Sequence, residues 1–232
     1  LNTQVNVNRF KVPSGEIFSL DILEYLSSQE KPVILSTGMS TFDEIESSLK
    51  FLDPNRSLDV TVLHCISNYP APPEDVNLRC MLELGARFGR NYGFSDHTLG
   101  NDAAIAAVAL GAQVIEKHVT LDKSLPGPDH RVSATVNEFA ALVESIRRVE
   151  KCLGSSEKYF SEGEREITSV ARKSIVLRRD MREGEVLSKE DICFRRPGTG
   201  LSPMELHSVL GRPLARGVQA NRVVKKEDIV WL

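Results

Sequence analysis

The sequence predicts an α/β fold, in which a parallel sheet of the (β/α)8 barrel type is followed by a small C-terminal module. Over residues 1–153, short apolar runs alternate with amphipathic helical patterns. The runs lie at residues 10–13, 33–35, 60–65, 92–94 and 114–115, and the last continues to 119. Runs with so little polar alternation are typical of strands covered on both faces. Repeated β-α units predict parallel pairing with right-handed crossovers.

Five strands are compatible with an open doubly wound sheet as well as with part of a barrel. The polar residues distinguish the two, because they follow the apolar runs at their carboxyl ends. These residues are Ser14, Glu16, Ser36, Thr37, Ser67, Tyr69, Asp96, His97, His118 and Thr120. A site shared by the carboxyl ends of many strands is the barrel arrangement. Because a closed barrel has eight strands, three are expected to be missing ahead of the first run.

The whole sequence is predicted to form three segments, and helix-start signals support the first of them. Two helices begin with a capping-box pattern, in which Thr41 is followed by Glu44 and Thr135 by Glu138. We interpret residues 1–153 as part of a barrel domain, the polar residues 154–172 as a linker helix, and residues 173–232 as a compact module. The module contains a near-repeat, because residues 184–192 resemble residues 221–229.

The composition excludes several classes of function. With 29 Lys+Arg against 32 Asp+Glu and a net charge of -3, there is no basic surplus for nucleic acid or an anionic membrane. No apolar stretch approaches the roughly 20 residues of a transmembrane helix, and the first residues carry no signal-peptide pattern. The cytoplasm is therefore the expected compartment. The cysteines, Cys65, Cys80, Cys152 and Cys193, form no CxxC pair, which argues against structural zinc and a disulfide framework.

His97 and His118 are the candidate metal ligands. They follow consecutive predicted strands at their carboxyl ends, so both can point into one pocket. Neutral imidazole is the commonest nitrogen ligand for divalent metals. Glu116 shares a strand face with His118 and can orient a ligand from a second shell of contacts. Two hydrogen-bonded histidines without a metal are the alternative interpretation.

Hydroxyl groups recur at one level on four predicted strands. They belong to Ser14, Ser36, Thr37, Ser67 and Ser95. Hydroxyls and adjacent backbone N–H groups at strand ends are suited to holding a phosphate or a carboxylate, and Lys11 can add a cation. A single serine at a strand end is more often a turn residue than a ligand. Their recurrence favours an anion site.

Two turns carry further polar residues. The turn at residues 127–130 follows the last strand, and its Asp129 can bind sugar hydroxyls, although a surface turn explains the same pattern. Arg195 and Arg196 begin a basic turn in the C-terminal module, which alone would be a solvated loop. No G-x-G-x-x-G, Walker or G-x-S-x-G motif is present, which argues against dinucleotide, P-loop and serine-hydrolase chemistry.

Taken together, these segments resemble the N-acetylneuraminate (sialic acid) synthase family. The segments that carry the resemblance are FKVPSGE at 10–16, ILSTGM at 34–39, LHC at 63–65, NYP at 68–70, GFSDHT at 93–98, IEKH at 115–118 and GPDH at 127–130. The C-terminal module, with Arg195, Arg196, Pro197, Gly198 and Gly200, resembles that family's antifreeze-protein-like (SAF) domain, of the β-clip type. The resemblance covers nearly the whole chain in the family's order and spacing.

The resemblance implies that the five strands are strands four to eight of a (β/α)8 barrel. It implies a transferase of sialic acid biosynthesis that condenses phosphoenolpyruvate with N-acetylmannosamine or a related N-acyl amino sugar, giving a nine-carbon 2-keto acid and phosphate. His97 and His118 would hold a divalent ion, manganese or magnesium, that polarises the sugar aldehyde as a Lewis acid.

The resemblance also assigns roles to individual residues. The residues that would bind phosphoenolpyruvate are Lys11, Ser14, Ser36, Ser67 and Ser95. Glu16 would lie near the reacting carbonyl as the general base. Tyr69 and Asp129 would contact the N-acyl sugar. Arg196 would reach the active site of the partner subunit in a domain-swapped homodimer.

Two departures from the family pattern bear on activity. Ile66 stands where the family commonly has threonine, which removes one possible phosphate contact. The front of the barrel, which in relatives supplies a further acid, a lysine and sugar contacts, is not in this sequence. The 232-residue chain alone is therefore expected to be inactive.

Other functions compete with this interpretation. The turn at residues 127–130 resembles the neuraminate and legionaminate types more than the pseudaminate type, and the acceptor sugar stays open among them. Another phosphoenolpyruvate-condensing barrel aldolase would give the C-terminal module no role. A non-catalytic carbohydrate-binding protein would bind no metal.

Overall fold

The computed structural model describes residues 7–231. The chain divides into two compact units, of which the first ends at Ser155 and the second begins at Ser156. The segment interpreted as a linker, residues 154–172, therefore falls almost entirely within the second unit. None of the helices between residues 7 and 231 is long and apolar enough to span a lipid bilayer.

The first unit is built on a curled, five-stranded parallel sheet. Its strands are β1 (Phe10–Val12), β2 (Val33–Ser36), β3 (Val60–Cys65), β4 (Asn91–Asp96) and β5 (Ile115–Lys117). All five predicted strands are present, and they neighbour one another in the order of the sequence. A doubly wound sheet reverses its strand order at a switch point, so the sequential order favours a barrel segment.

Helices alternate with these strands. They are α1 (Leu20–Ser28), α2 (Phe42–Leu52), α3 (Pro73–Val76), α4 (Arg79–Phe88), α5 (Asp102–Ala109) and α6 (Val136–Leu153). Both predicted capping boxes are confirmed, because Thr41 and Thr135 accept hydrogen bonds from the backbone N–H groups of Glu44 and Glu138, whose side chains bond back. These reciprocal bonds satisfy donors that the first turn of a helix otherwise leaves unpaired.

The core explains why the central strand lacks polar alternation. Every residue of β3 is buried. Val60 and Val62 belong to a buried cluster that includes Leu35 from β2 and Leu52 from α2. Burial of one such side chain contributes about 1.5–3 kcal/mol. The sheet is thus fixed mainly by apolar packing, although β3 also buries the polar residues Thr61 and His64.

After β5 the chain leaves the sheet. The apolar run predicted to continue to Val119 is interrupted at His118, and the short strands β6 (Val119–Thr120) and β7 (Ala134–Thr135) pair in parallel. The His118 carbonyl accepts a hydrogen bond from Ala134 N–H at 2.9 Å. The turn at residues 127–130 lies between these two strands.

The second unit contains little regular structure. Its elements are α7 (Glu162–Ala171), the antiparallel strands β8 (Ser174–Leu177) and β9 (Ile192–Arg195), α8 (Leu206–Val209) and the 3-10 turns Pro203–Glu205 and Lys226–Asp228. A separate apolar cluster that includes Ile175, Leu177, Leu187 and Leu214 forms its core.

The near-repeat in this unit corresponds to a local two-fold arrangement. Met181 and Val218, which lie three residues ahead of the two copies, exchange both backbone hydrogen bonds at 2.9 Å. Arg179 bonds to Asp191 in one copy, and the equivalent Arg216 bonds to Asp228 in the other. The sequence similarity between the copies therefore reflects the same contacts made twice.

Candidate active site

The carboxyl ends of the five parallel strands surround a cavity of about 400 Å³. The residues that line it are Lys11, Pro13, Ser14, Gly15, Ser36, Met39, Cys65, Ser67, Tyr69, Ser95, His97, Glu116 and His118. The predicted anion-binding lysine and serines, both candidate metal ligands and Tyr69 thus share one cavity.

Ser36 lines this cavity and has a buried hydroxyl. Its residue is 2% exposed, and its Oγ atom has no hydrogen-bond partner within residues 7–231. A buried polar group without a partner costs about 1–3 kcal/mol. A ligand oxygen bound in the cavity would remove that cost, so this atom marks a place for a polar ligand.

The loop after β2 lies against two other serines because it contains a glycine. Gly38 N–H donates to Ser14 Oγ at 2.9 Å. A Cβ atom at position 38 would lie 2.2 Å from Ser67 Oγ, which is far inside contact distance. By contrast, Thr37 donates its hydroxyl to the Leu63 carbonyl at 2.9 Å, and Thr37 does not line this cavity.

Glu116 joins a lysine and a serine from different strands. Its Oε1 accepts a hydrogen bond from Ser95 Oγ at 2.7 Å, and its Oε2 lies 3.3 Å from Lys11 Nζ. Lys11 therefore has a carboxylate partner when no ligand is present. An anion with greater charge can compete for the same ammonium group.

His97 and His118 converge at one side of the cavity. Their ring centroids lie 5.3 Å apart, and the Tyr69 ring lies 4.1 Å from His97 and 5.3 Å from His118. The three rings come from segments after β3, β4 and β5. Ring centroids at this separation allow two imidazole nitrogens to face a common point.

The hydrogen bonding of His97 suits a metal ligand. Its Nδ1 atom lies 2.6 Å from the Ile66 carbonyl oxygen, which can only accept, so Nδ1 carries a proton and the neutral form of the ring keeps a lone pair on Nε2. His118 has the Asp129 carboxylate 3.7 Å from its Nδ1. Within residues 7–231 no group of three or more His, Cys, Asp or Glu side chains could hold a metal, so two histidines are a partial ligand set.

The protonation behaviour of the site follows from its contacts. Burial lowers the pKa of His97, but hydrogen bonds with Cys65 and with the Ile66 carbonyl outweigh it, and the pKa is raised overall. Burial raises the pKa of the Tyr69 phenol, and neighbouring acidic groups raise it further. Tyr69 therefore remains a hydrogen-bond donor at neutral pH.

Besides Thr37, three predicted site residues do not line the cavity. Glu16 lies in the 3-10 turn Ser14–Glu16, where its carboxylate accepts a hydrogen bond from Ser19. Asp129 is exposed beside His118. Arg196 belongs to the second unit, where its Nε donates to the Ala171 carbonyl at 2.8 Å.

Among the lining residues whose position in the cavity was not predicted are Cys65 and Glu116. Cys65 is buried as expected, but it also lines the cavity, with its Sγ atom 3.8 Å from His97 Nδ1. Glu116, expected to orient His118, instead contacts Lys11 and Ser95. The alternation of side chains along a strand could have indicated both, because Cys65 precedes Ser67 by two positions and Glu116 precedes His118 by two.

Comparison with known proteins places the chain in a family. Residues 1–158 match the model of the NeuB family, and residues 172–230 match that of the SAF domain. N,N'-diacetyllegionaminic acid synthase of Legionella pneumophila is 44% identical over 229 residues, which cover 97% of this chain and 64% of that protein. The chain spans about two thirds of the length of the curated relatives it matches.

Two crystal structures extend the comparison. N-acetylneuraminic acid synthetase of Leptospira borgpetersenii, solved with citrate, is 33% identical with a TM-score of 0.65, covering 71% of this chain and 57% of that one. A putative spore coat polysaccharide biosynthesis protein E of Chromobacterium violaceum, 24% identical with a TM-score of 0.76, covers 99% of this chain and 70% of that one and shows the shared fold. Since the family match covers more than half of the sequence, the chain belongs to the NeuB family and carries a SAF domain.

Proposed function

We propose that the cavity is the active site of a sugar-acid synthase that condenses phosphoenolpyruvate with the open-chain form of an N-acyl amino sugar. The observation that carries the proposal is the convergence of Lys11, four serines and two histidines on one cavity. Relatives that are 33–45% identical include synthases of legionaminic and pseudaminic acids and of N-acetylneuraminate 9-phosphate, which supports this reaction class. The product would be a nine-carbon 2-keto acid.

Phosphoenolpyruvate would bind by its two anionic groups. Lys11 supplies the cation, and the hydroxyls of Ser14, Ser36, Ser67 and Ser95 supply neutral donors around it. The buried Ser36 hydroxyl supports this assignment, because it has no hydrogen-bond partner within residues 7–231 and a ligand oxygen could supply one. Hydrogen bonds to charged groups are worth about 1.5–3 kcal/mol.

The proposed reaction forms a carbon–carbon bond between the substrates and a carbon–oxygen bond to water, and it breaks the carbon–oxygen bond to phosphate. The two water protons pass to the sugar oxygen and to the departing phosphate. The C3 carbon of phosphoenolpyruvate attacks the aldehyde carbon of the sugar, and the aldehyde oxygen takes up a proton. Water then adds to C2 and gives its proton to a base. Loss of phosphate by C–O cleavage leaves the 2-keto group. Glu16 is the proposed base, although it would have to exchange its bond with Ser19 for one with the reacting water.

His97 and His118 would hold the divalent ion that this chemistry uses, manganese or magnesium. The free Nε2 atom of His97 and the short distance between the two rings fit such a role. When bound, the ion would supply Lewis-acid polarisation of the sugar aldehyde. Remaining ligands would come from water, substrate or parts of the protein beyond residues 7–231.

The acceptor sugar would lie at the outer side of the cavity. Tyr69 and Asp129 are the proposed contacts from the first unit, and both are exposed there. Arg196 is the proposed contact from the SAF domain of a partner subunit in a domain-swapped homodimer. We further propose that the five strands are strands four to eight of a (β/α)8 barrel, and that the enzyme acts in the cytoplasm.

The acceptor can be identified by measuring which sugars of a panel bind to the protein. N-acetylmannosamine, its 6-phosphate and the diacetamido sugars of the legionaminate and pseudaminate types are the candidates. Deletion of residues 173–232 tests the role of the SAF domain. If the protein is instead another phosphoenolpyruvate-condensing aldolase, the deletion should leave its affinity for the acceptor sugar unchanged. Turnover of any of these sugars by the 232-residue chain alone would contradict our expectation that it is inactive without the front of the barrel.

The anion subsite is tested by calorimetric titration of the chain with phosphoenolpyruvate. We expect Lys11→Met to weaken binding at least about tenfold, because a charge-assisted contact is lost. Lys50→Met is the control, since Lys50 is exposed on α2 and pairs with Glu46 of its own helix. Binding that is equal in wild type and Lys11→Met would refute the subsite.

A further inference from the structure

We propose that a buried ion pair between Asp96 and Lys117 is a positioning device that fixes the separation of His97 and His118. The inference rests on the proposed function, because it assigns a purpose to the spacing of the two histidines. Asp96 and Lys117 do not line the cavity, so their contribution would be made through their neighbours.

The pair is fully enclosed and tightly bonded. The Asp96 side chain is 0% exposed and the Lys117 side chain 4%. Lys117 Nζ donates to Asp96 Oδ2 at 2.7 Å and to the Thr98 carbonyl at 2.8 Å. The other carboxylate oxygen accepts from Thr98 N–H at 2.9 Å and from Thr98 Oγ1 at 2.8 Å. Each charged group thus has partners from the neighbouring strand or from the turn after β4.

The pair sits directly behind the two histidines. Asp96 and Lys117 are register partners at the carboxyl ends of β4 and β5, and each immediately precedes a histidine in the sequence. Side chains alternate between the faces of a sheet. Ser95, His97, Glu116 and His118 line the cavity, so the ion pair ties the same two strand ends together from the opposite face.

The two histidines differ in what else holds them. The His97 ring is fixed by its 2.6 Å contact with the Ile66 carbonyl, whereas the polar partner of the His118 ring within residues 7–231 is the exposed Asp129 carboxylate, at the longer distance of 3.7 Å. The position of His118 relative to His97 therefore depends on the backbone ends of β4 and β5. Separating those ends would leave a buried charge unpaired, which is strongly unfavourable.

A double replacement separates positioning from stability. Asp96→Asn combined with Lys117→Met removes both charges at similar size, so no unpaired charge remains and thermal stability should return close to that of the wild type. The matched control is Asp53→Asn with Arg90→Met, which removes another buried ion pair. Arg90 precedes β4 at its amino end, about 20 Å along the strand from Asp96.

Mn²⁺ affinity of the full chain, measured by electron paramagnetic resonance of free Mn²⁺, and the melting temperature are the two readouts. We expect the Asp96/Lys117 double variant to bind Mn²⁺ about tenfold or more weakly, as for other outer contacts of metal ligands, and the Asp53/Arg90 control to bind as wild type does. Thr98→Val, which removes one hydrogen bond to Asp96, should weaken Mn²⁺ binding to a smaller extent. It replaces the double variant as the test if the double variant does not fold.

Three results would overturn the inference in distinguishable ways. If the Asp96/Lys117 variant or Thr98→Val binds Mn²⁺ as tightly as wild type, the pair is only structural and the proposed function stands. If the control pair weakens Mn²⁺ binding equally, the effect is one of general stability. If wild type binds no Mn²⁺, the metal role in the proposed function falls together with this inference.

Discussion

Ser95 and Glu116, register partners on β4 and β5, are joined by a hydrogen bond of 2.7 Å in which the serine hydroxyl donates to the carboxylate. The hydroxyl of Ser36, which lines the same cavity, has no partner within the described residues. Ser95 and Ser36 are both predicted to bind phosphoenolpyruvate, but their hydroxyl groups differ in hydrogen bonding when no ligand is bound. One must give up a bond to a charged acceptor before it can donate to a ligand, and the other gives up nothing.

This difference predicts unequal effects of two identical replacements. Ser36→Ala should weaken phosphoenolpyruvate binding by about tenfold, because a bond to a charged group is lost without compensation. Ser95→Ala should weaken it less. In urea unfolding of the ligand-free chain, Ser36→Ala should be neutral or slightly stabilising, since it removes a buried group that has no partner. Equal loss of affinity in both variants, or marked destabilisation by Ser36→Ala, would contradict this account.

A side chain at position 38 should displace the two neighbouring serines and weaken ligand binding. The added Cβ atom of Gly38→Ala would lie 2.2 Å from Ser67 Oγ and 2.9 Å from Ser14 Oγ, so both serines must turn away from their present positions. We expect phosphoenolpyruvate affinity to fall by at least about tenfold, by the loss of one or more charge-assisted contacts. Gly163→Ala is the control, because a Cβ atom there meets nothing within 4 Å. The prediction fails if calorimetry finds Gly38→Ala binding normally.

Asp53 should make stability depend on pH in the acid range. Burial raises the pKa of this carboxyl, but hydrogen bonds from Arg90 and from the backbone N–H groups of Leu58 and Ser57 outweigh it and lower the pKa overall. A lowered pKa contributes stability that is present above the unfolded value, near 3.9, and is lost as the pH falls through the folded value. Asp53→Asn should therefore be destabilising at pH 7, by about 3 kcal/mol because Arg90 loses its partner.

The difference in unfolding free energy between wild type and Asp53→Asn should shrink as the pH falls below about 4. Urea unfolding at a series of pH values between 7 and 3 measures it. Asp59→Asn is a suitable comparison, because Asp59 forms only a half-exposed contact of 3.8 Å with Arg9, and exposed ion pairs contribute about 0–1 kcal/mol. If the difference in unfolding free energy between wild type and Asp53→Asn does not change with pH, the lowered pKa of Asp53 does not contribute to stability as proposed.

The two equivalent ion pairs of the SAF domain should respond alike to replacement. Asp191 accepts from Arg179 and from Ser188, and Asp228 accepts from Arg216 and from the Lys225 N–H group. We expect Asp191→Asn and Asp228→Asn each to lower the stability of the second unit by about 1–3 kcal/mol. Hydrogen exchange can localise the effect, and loss of protection in the first unit instead would argue against two independent units.

The sequence was informative where the determining contacts are local. The capping boxes at Thr41 and Thr135 involve residues three positions apart, and β3 was recognisable from six consecutive residues. The sequence also predicts a common position at the strand ends for four serines, because each follows or ends an apolar run. They are Ser14, Ser36, Ser67 and Ser95. These features depend on hydrogen bonds and burial within one β-α unit.

Contacts between distant segments could not be predicted in the same way. Whether Lys11 meets Glu116 depends on the curvature that brings β1 toward β5, and no local pattern encodes it. The position of Glu16 depends on the 3-10 turn after β1, which directs its carboxylate to Ser19. The roles of Glu16, Asp129 and Arg196 came from the family resemblance and stay predictions.

The most direct test of the account is Mn²⁺ binding by the wild-type chain and by two histidine variants. We predict that wild type binds Mn²⁺, that His97→Ala and His118→Ala each bind it much more weakly, and that His207→Ala, an exposed histidine of the second unit, binds it as wild type does. If wild type binds no Mn²⁺, or if both histidine variants bind it unchanged, the two rings do not form a metal site and the proposed chemistry is wrong.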